Sequence, residues 1–408
     1  MLEAAAPQSV GLCPRRLGRI EDGMRPYVDE GRLPGLALVL ARRGKVAYRR
    51  QMGWADVQGQ KPMRADTLGR IYSMTKPVVC TALMTLYEEG RFQLFDPVAK
   101  YLPAFGSMRV MGSGGGTAEA ERPLTVRMLL THTSGLSYDF LPHTPVAGLY
   151  REARITADGS RSLAAMVDAV ADLPLACQPG SAWHYGVGID VAARLVEVLT
   201  GKALGQVLQE RLFGPLGMDD TAFRVPPDKR GRLATLYGQG DISCDTLTQL
   251  AERDGQAMQP VDVGESYPLD DPEYARGGLG LYSTADDYLR FAQMLLNGGT
   301  LGDVRVIGRK TLELMHANHL PAALLPMEVM PGMPIGGYGF GLGSRVLLDV
   351  AQAEMPGSVG EFGWAGAART YYWVDPREEL VGVLVTQLLG VEQPQKEFQA
   401  LAYQAIDD

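Results

Sequence analysis

Strand-like sequence is confined to the two ends of this chain. Leu36 to Ala41 and Val46 to Arg50 are short β-like runs joined by Arg42-Arg43-Gly44, a hairpin by its turn chemistry. Beta character returns only late, over Phe340 to Val350, Thr370 to Val374 and Val381 to Thr386, with a break at Asp375-Pro376. Helical patterns fill the interval: Thr125 to Leu130, Leu163 to Leu173, Ile189 to Leu199 ending at Gly201, and Leu204 to Phe213. Two more helices bracket the strands. Leu17, Ile20, Met24, Tyr27 and Val28 outline one near the start, weakened by Pro26, and Phe398 to Ile406 forms one at the end. Ser283-Thr284-Ala285-Asp286-Asp287 reads as an N-cap with first-turn acids, opening a helix that runs to Asn297-Gly298. The pattern predicts an α/β (α+β) fold in which one antiparallel sheet is built from both chain ends, flanked by helices, with a mainly helical lobe inserted. Residues 1–80 and 276–408 are expected to form the sheet lobe and residues 81–275 the helical lobe of a single unit. A cleft between lobes is the usual place for a site.

A chain of 408 residues, 46% hydrophobic and 21% charged, has the profile of a soluble globular enzyme. Its net charge of −8 and its scattered arginines give no reason to expect nucleic acid or an anionic surface as partner. Cys13, Cys80, Cys177 and Cys244 lie far apart without a C-x-x-C pair, which reads as reduced thiols in a cytoplasmic protein. No secretory signal is visible in Met1 to Pro7, and no run of eighteen apolar residues suggests a membrane span. Gly112 to Gly116 is not followed by Gly-Lys-Ser/Thr, so a flexible surface loop is expected there rather than a phosphate cradle.

Chemistry is concentrated in Ile71-Tyr72-Ser73-Met74-Thr75-Lys76, directly before an apolar run that closes at Gly90. Apolar residues at 79, 83, 86 and 87 recur with helical spacing, so Ser73 falls at the start of a largely buried helix. Residues three apart share a helix face, bringing the Ser73 hydroxyl and Lys76 amine within reach of each other. Unpaired N–H groups at a helix N-terminus suit a developing oxyanion. No other lysine here has serine three positions before it. A free lysine, with a pKa of about 10.4, cannot take the serine proton. Burial and neighbours would have to lower it by about 3 units, equivalent to about 4 kcal/mol. The other route is a second, shared proton carrier. Tyr185 is the candidate, at the end of the tight turn Gln178-Pro179-Gly180-Ser181 and just before a helix.

Several strings then fall in the order seen in the serine β-lactamase and penicillin-binding-protein superfamily. They are Ser73-Met74-Thr75-Lys76, Leu129-Leu130-Thr131-His132-Thr133-Ser134-Gly135-Leu136, Pro179-Gly180 with Tyr185, Pro215-Leu216-Gly217-Met218, and Gly277-Gly278-Leu279-Gly280-Leu281-Tyr282-Ser283-Thr284. Gly363-Trp364-Ala365-Gly366-Ala367 resembles the Trp-x-Gly form that family VIII carboxylesterases carry where β-lactamases have Lys-Thr-Gly. The likeness spans about residues 15 to 405 and implies a β-lactamase-like fold. It implies Ser73 as nucleophile, with Lys76 and Tyr185 as the general acid/base pair. The N–H groups of Ser73 and Ala367 would form the oxyanion hole, Trp364, Ala365 and Gly366 would line the acyl site, and Tyr138 would contact substrate. Two departures stand out. Val187 occupies the place of the asparagine of a Tyr-x-Asn motif, and Trp364 replaces a lysine, with Arg369 nearby as a partial substitute. Both changes favour neutral esters over anionic antibiotics.

The histidines carry less. His132 belongs to a turn that the resemblance makes structural, and His184 adjoins Tyr185 but points the other way if that segment is extended, lining the cleft being the alternative. His316 and His319 are three apart on an expected helix without a third ligand, so neither metal nor cofactor is expected. Gly-x-Ser-x-Gly is absent, which argues against an α/β-hydrolase. The expected activity is a serine carboxylesterase acting on small-molecule carboxylic esters through an acyl-enzyme. An acyltransferase is the nearest alternative, since statin-pathway acyltransferases resemble the string from Thr131 to Tyr138. A β-lactamase or peptidase comes third, and a non-catalytic scaffold is opposed by Ser73, Lys76 and Tyr185 occurring together.

Overall fold

In the computed structural model, which describes residues 2–408 apart from Ser113, His143, residues 254–256, residues 330–331 and Val391, the first hairpin forms where its turn chemistry puts it. Strands β1 (Gly35–Arg42) and β2 (Lys45–Asp56) pair antiparallel across Arg43 and Gly44. Both linking residues sit at positive φ, 52° and 75°, a two-residue geometry whose twist matches that of the strands. The main sheet is completed by β3 (Lys61–Pro62), β4 (Tyr338–Phe340), β5 (Arg345–Leu347), β6 (Phe362–Ala365), β7 (Tyr371–Asp375) and β8 (Leu380–Val385). Its order is β4-β5-β6-β7-β8-β1-β2-β3, with antiparallel neighbours throughout. The seam is β1 against β8, from Ala37 opposite Val385 to Arg42 opposite Leu380. One sheet is therefore made from both ends of the chain.

All eight residues of β1 are buried, because each of its faces meets a different core. The helices that bear on these cores and on the site are α1 (Pro14–Asp29), α2 (Thr75–Glu88), α3 (Gly188–Thr200), α4 (Ala285–Leu296) and α5 (Pro394–Gln404). Leu36, Leu38 and Leu40 join the apolar faces of α1 and α5, while Ala37, Val39 and Ala41 join the larger core that holds α2, α3 and α4. A fully buried leucine contributes about 1.5–3 kcal/mol. Exposed ion pairs contribute about 0–1 kcal/mol each, so the layering is held by the apolar alternation rather than by surface charge. Pro26 falls in the last turn of α1 without ending it. Arg42, 3% exposed, ties the termini to the sheet. It donates to the Gly11 carbonyl and to Asp408 Oδ1, both at 2.7 Å.

Helix α2 is the interior element. Every residue from Thr75 to Leu86 is buried, and Gly90, at φ 71°, terminates it in the left-handed region. It packs along α3, while α4 covers β1, β7 and β8.

Several expectations change. The run from Phe340 to Val350 is not one strand. It folds back between β4 and β5 where Gly341 N–H bonds the Ser344 carbonyl and Gly343 adopts φ 98°. A Cβ on Gly343 would stand 2.5 Å from Cys80 Sγ, so packing on α2 sets the turn against the β propensity of the flanking residues. The same run ends in a short helix, Val350–Ala353, capped by the Asp349 carboxylate. His316 and His319 do not share a helix, because Arg309–Met315 ends before both. The described glycines of the 112–116 cluster, whose Ser113 lies outside the described residues, are exposed as expected of a surface loop, and they connect a ribbon pairing Arg109–Met111 with Thr117–Glu119. Among the described residues no helix is long and apolar enough to cross a membrane.

Candidate active site

Ser73 occupies a single 3₁₀ turn, Tyr72–Met74, that leads directly into α2. Tyr72 carries φ 44°, a left-handed conformation costing a β-carbon residue about 1–3 kcal/mol. Its ring, 2% exposed, is held edge-on to Tyr267 at 5.2 Å, and the strained backbone turns Ser73 toward the interior of the cleft. Lys76, in the first turn of α2, is wholly buried. Its Nζ donates to Ser73 Oγ at 3.0 Å and to the Gly278 carbonyl at 2.6 Å. The ammonium also lies 4.8 Å from the Tyr185 ring centre and 5.1 Å from that of Tyr138. Two hydrogen bonds and two aromatic faces offset a burial that would otherwise cost several kcal/mol.

Tyr185 also reaches Ser73, Oη to Oγ 2.9 Å. The segment carrying it is stitched to the preceding turn. Gly180 N–H bonds the Thr133 carbonyl, His184 N–H the His132 carbonyl, and Val187 N–H the Ser137 carbonyl. Gly186 permits this approach, since a Cβ there would stand 1.9 Å from the Leu136 carbonyl oxygen. His132 is buried, and burial, helped by the charge of Lys76, pushes its pKa well below the ordinary value. Its neutral ring packs on Tyr185 at 4.6 Å, with Nδ1 accepting from Gly186 N–H at 3.4 Å. The imidazole thus supports the tyrosine and does not reach Ser73 among the described contacts. His184 bonds Ser137 Oγ through Nε2 at 3.0 Å and does not line the cleft.

Asp190 was not legible as part of this arrangement. It lies in the first turn of α3, 1% exposed, and Oδ1 accepts the Gly278 N–H at 2.9 Å. Burial raises its pKa, opposed by that hydrogen bond and by Lys76. The available signal was a lone carboxylate within the apolar stretch Gly188-Ile189-Asp190-Val191-Ala192. Gly278 leaves no room for a side chain, because a Cβ would meet Asp190 Oδ2 and Tyr138 Oη at 2.4 Å.

Above Ser73 opens a cavity of about 270 Å³. Ser73, Tyr185 and Tyr138 form its base, and Trp364, Ala365 and Ala367 form one wall. Phe140, Ile242, Leu247, Leu279, Val329 and Ile335 make the rest predominantly apolar. Tyr138 stacks on Phe140 at 4.7 Å. Gly366 is not a lining residue. It lies against the Ser73 turn, where a Cβ would stand 2.3 Å from the Ile71 carbonyl oxygen, and bonds Thr370 through its N–H. This close approach sets Ala367 beside Ser73.

Two further expectations are corrected. Val187 is completely buried at the N-terminus of α3 and does not face the cavity. The cation in the cavity wall is Arg345, placed there by pairing of β5 with β6, and not Arg369, which sits at φ 61° in the turn after β6. Among the described residues no group of three or more His, Cys, Asp or Glu side chains is placed to hold a metal ion.

The beta-lactamase family model matches residues 20–405. An uncharacterised protein of Mycobacterium tuberculosis is 35% identical over 372 residues, covering 89% of this chain and 88% of its own. Esterase EstB of Burkholderia gladioli is 32% identical over 372 residues, covering 88% and 86%. Among solved structures, EstCE1, described as a hydrolase with promiscuous acyltransferase activity, superposes with a TM-score of 0.78 at 28% identity. That match spans 97% of this chain and 99% of EstCE1.

Proposed function

This chain belongs to the beta-lactamase family, as a serine hydrolase of that fold with esterase relatives, and we propose that it hydrolyses small carboxylic esters through an acyl-enzyme on Ser73. The observation that carries the proposal is the convergence of two proton-carrying groups on one hydroxyl. Lys76 Nζ and Tyr185 Oη stand 3.0 and 2.9 Å from Ser73 Oγ at the base of an apolar cavity.

In this reading the pair reacts with Lys76 carrying its proton and Tyr185 as the phenolate: Ser73 Oγ attacks the ester carbonyl while its proton passes to Tyr185 Oη, so the pair gains one proton in this step. Charge developing on the carbonyl oxygen is met by the N–H groups of Ser73 and Ala367. The proton then goes to the departing alkoxide, leaving an acyl group on Ser73. Water, deprotonated by the same pair, attacks the acyl carbon and releases the acid. Trp364 and the apolar wall suit a short acyl chain.

A second reading lets an alcohol replace that water. The apolar lining around Ser73 favours it, because such a wall limits water at the acyl-enzyme, and EstCE1 is described as having promiscuous acyltransferase activity. The two readings part on the ratio of acid to new ester formed from vinyl butyrate when an alcohol is added.

The experiment that tests the main reading measures 4-nitrophenyl butyrate turnover in wild type and Ser73→Ala, with fluorophosphonate labelling and mapping of the adduct. A fall of about 10³-fold or more in kcat, with the label on Ser73, is expected. A label elsewhere, or a variant of near-normal rate, assigns the nucleophile to another residue.

A further inference from the structure

Arg345 is the single cationic side chain among the described residues lining the cavity, and its surroundings are unusual for an arginine. It projects from β5 at the point paired with Gly363, beside Trp364 and Ala365 of the cavity wall. Its guanidinium lies 4.3 Å from the Tyr338 ring centre and 5.2 Å from that of Tyr371, and it donates to Tyr371 Oη. No salt bridge joins it to a carboxylate among the described residues, although surface arginines of this chain have several. The acid whose charge it feels is Glu361, which is completely buried and already engaged by Gln399 Nε2 at 2.8 Å and Tyr403 Oη at 2.7 Å. Burial pushes the Glu361 carboxyl up to about 7, so it gives Arg345 only a partial counter-charge near neutrality.

A planar fork with a full charge, held by aromatic faces in the lining of an apolar cavity, is arranged to receive a carboxylate. The site also sets where that carboxylate must lie. From the Gly363 register point to Ala367 is four residues, about 13 Å if extended at ~3.3 Å per residue and less through the turn. The Arg345 stem rises from the sheet, and its guanidinium is held by Tyr371, whose backbone pairs with Ala365 two residues before Ala367, so a spacer of a few carbons separates the carboxylate from the reacting carbonyl.

We propose that Arg345 determines specificity by selecting esters that carry a carboxylate a few carbons from the scissile bond, typified by monoesters of short dicarboxylic acids. This rests on the esterase reading for its reaction but not for its binding step, and the test separates the two. Binding is measured by titrating the Ser73→Ala protein, alone and combined with Arg345→Met or Arg345→Lys, with 4-nitrophenyl hydrogen glutarate and with 4-nitrophenyl butyrate. Turnover of both esters is followed with Ser73 intact. The hemiglutarate is expected to bind about 10- to 100-fold more tightly than the butyrate. Arg345→Met should abolish that preference with butyrate binding within about 3-fold, and Arg345→Lys should retain part of it.

Equal losses for both esters would make Arg345 a packing residue and overturn the proposal, as would a wild-type preference for butyrate. Should Arg345→Met fail to fold, the proposal is overturned if Arg345→Lys leaves the hemiglutarate preference unchanged or weakens both esters alike. Tight, arginine-dependent binding without turnover by the intact protein would uphold this proposal while refuting the esterase reading. A parallel comparison of 4-carboxyphenyl butyrate with phenyl butyrate locates the carboxylate. Arginine dependence there places it on the alcohol half, and its absence there, with dependence on the hemiglutarate, places it on the acyl half.

Discussion

Lys76 is bound more closely to Gly278 than to Ser73: Nζ lies 2.6 Å from the glycine carbonyl oxygen and 3.0 Å from the serine hydroxyl. The N–H of the same glycine is fixed by Asp190 at 2.9 Å. One residue without a side chain therefore transmits the position of a buried carboxylate on α3 to a buried amine on α2. Asp190 acts through Gly278, as a positioning residue.

Gly278→Ala should be costly out of proportion to its size. The added methyl would overlap Asp190 Oδ2 and Tyr138 Oη, each 2.4 Å away, and push the carbonyl from Lys76. An increment of 1.4 kcal/mol is tenfold in rate, so a displaced ammonium is expected to lower kcat by about 10²-fold. Circular dichroism and kcat measured together check this. A near-normal kcat with intact fold would show that the carbonyl does not position Lys76.

Lys76→Ala and Tyr185→Phe are each expected to lower kcat for 4-nitrophenyl butyrate by about 10²-fold or more, because both groups serve one hydroxyl. The double variant should lose little beyond the worse single, as residues that act as a unit are not additive. Multiplicative losses would assign them independent roles. A Tyr185→Phe variant close to wild type would leave Lys76 as the sole base.

Short aryl esters should be turned over far faster than β-lactams. The carboxylate of a penicillin or cephalosporin is held rigidly near the scissile amide, and the side chain flanking Ala367 on that wall is Trp364 rather than a cation. Arg345 sits on the neighbouring strand opposite Gly363, four residues before Ala367, and under the specificity proposed for it serves substrates with a flexible spacer rather than a fused ring. Losing one charge-assisted hydrogen bond, about 1.5–3 kcal/mol, corresponds to about 10- to 150-fold in kcat/KM. A butyrate ester and a chromogenic cephalosporin, compared on one preparation with Ser73→Ala as blank, provide the measurement. A cephalosporin value at or above that of the ester would contradict this placement of Arg345.

Glu361 predicts a pH dependence of stability. Its carboxyl is raised by burial from the ordinary 4.5 to about 7, so the folded protein keeps a proton that the unfolded chain has lost in that interval. The stabilisation is fully present below about pH 4.5 and is lost as pH rises through 7, an effect of up to about 3 kcal/mol. Asp139 and Asp287, both raised to about 6, act in the same direction. Glu361→Gln should therefore lose less stability than wild type between pH 5 and pH 8, by about 2 kcal/mol in urea denaturation. Parallel losses in the two proteins would show that Glu361 does not titrate in this range.

What the sequence disclosed was set by the distance over which each feature is encoded. The hairpin at Arg43-Gly44, the Thr284 cap of α4 and the termination of α2 at Gly90 are written in adjacent residues, and each forms where its local chemistry puts it. Ser73, Lys76 and Tyr185 were recognisable because their strings are short and ordered, and the fold brings their side chains together. Arg345 and Asp190 were not recognisable. Arg345 enters the cavity through its register with Gly363, and Asp190 matters only because Gly278, 88 positions away, passes close enough for its N–H to bond the carboxylate. The turn at Gly341 to Gly343 was missed for a related reason. Its shape depends on Cys80 of α2, while the local sequence favours a continuous strand.

The seam between β1 and β8 governs how the chain must be made. At about 5–20 residues per second, a ribosome needs on the order of tens of seconds between completing β1 and delivering the strand that pairs with it. Until then the hairpin presents an open hydrogen-bonding edge on a strand that is apolar on both faces, the form most prone to capture by another chain. Nascent chains ending before Leu380 should therefore aggregate or bind chaperones, and release from both should coincide with emergence of the segment through Val385. Ribosome-bound chains of graded length, assayed by protease resistance, would reveal that step, and a gradual rise in protection from the first hundred residues onward would show that the seam does not control it.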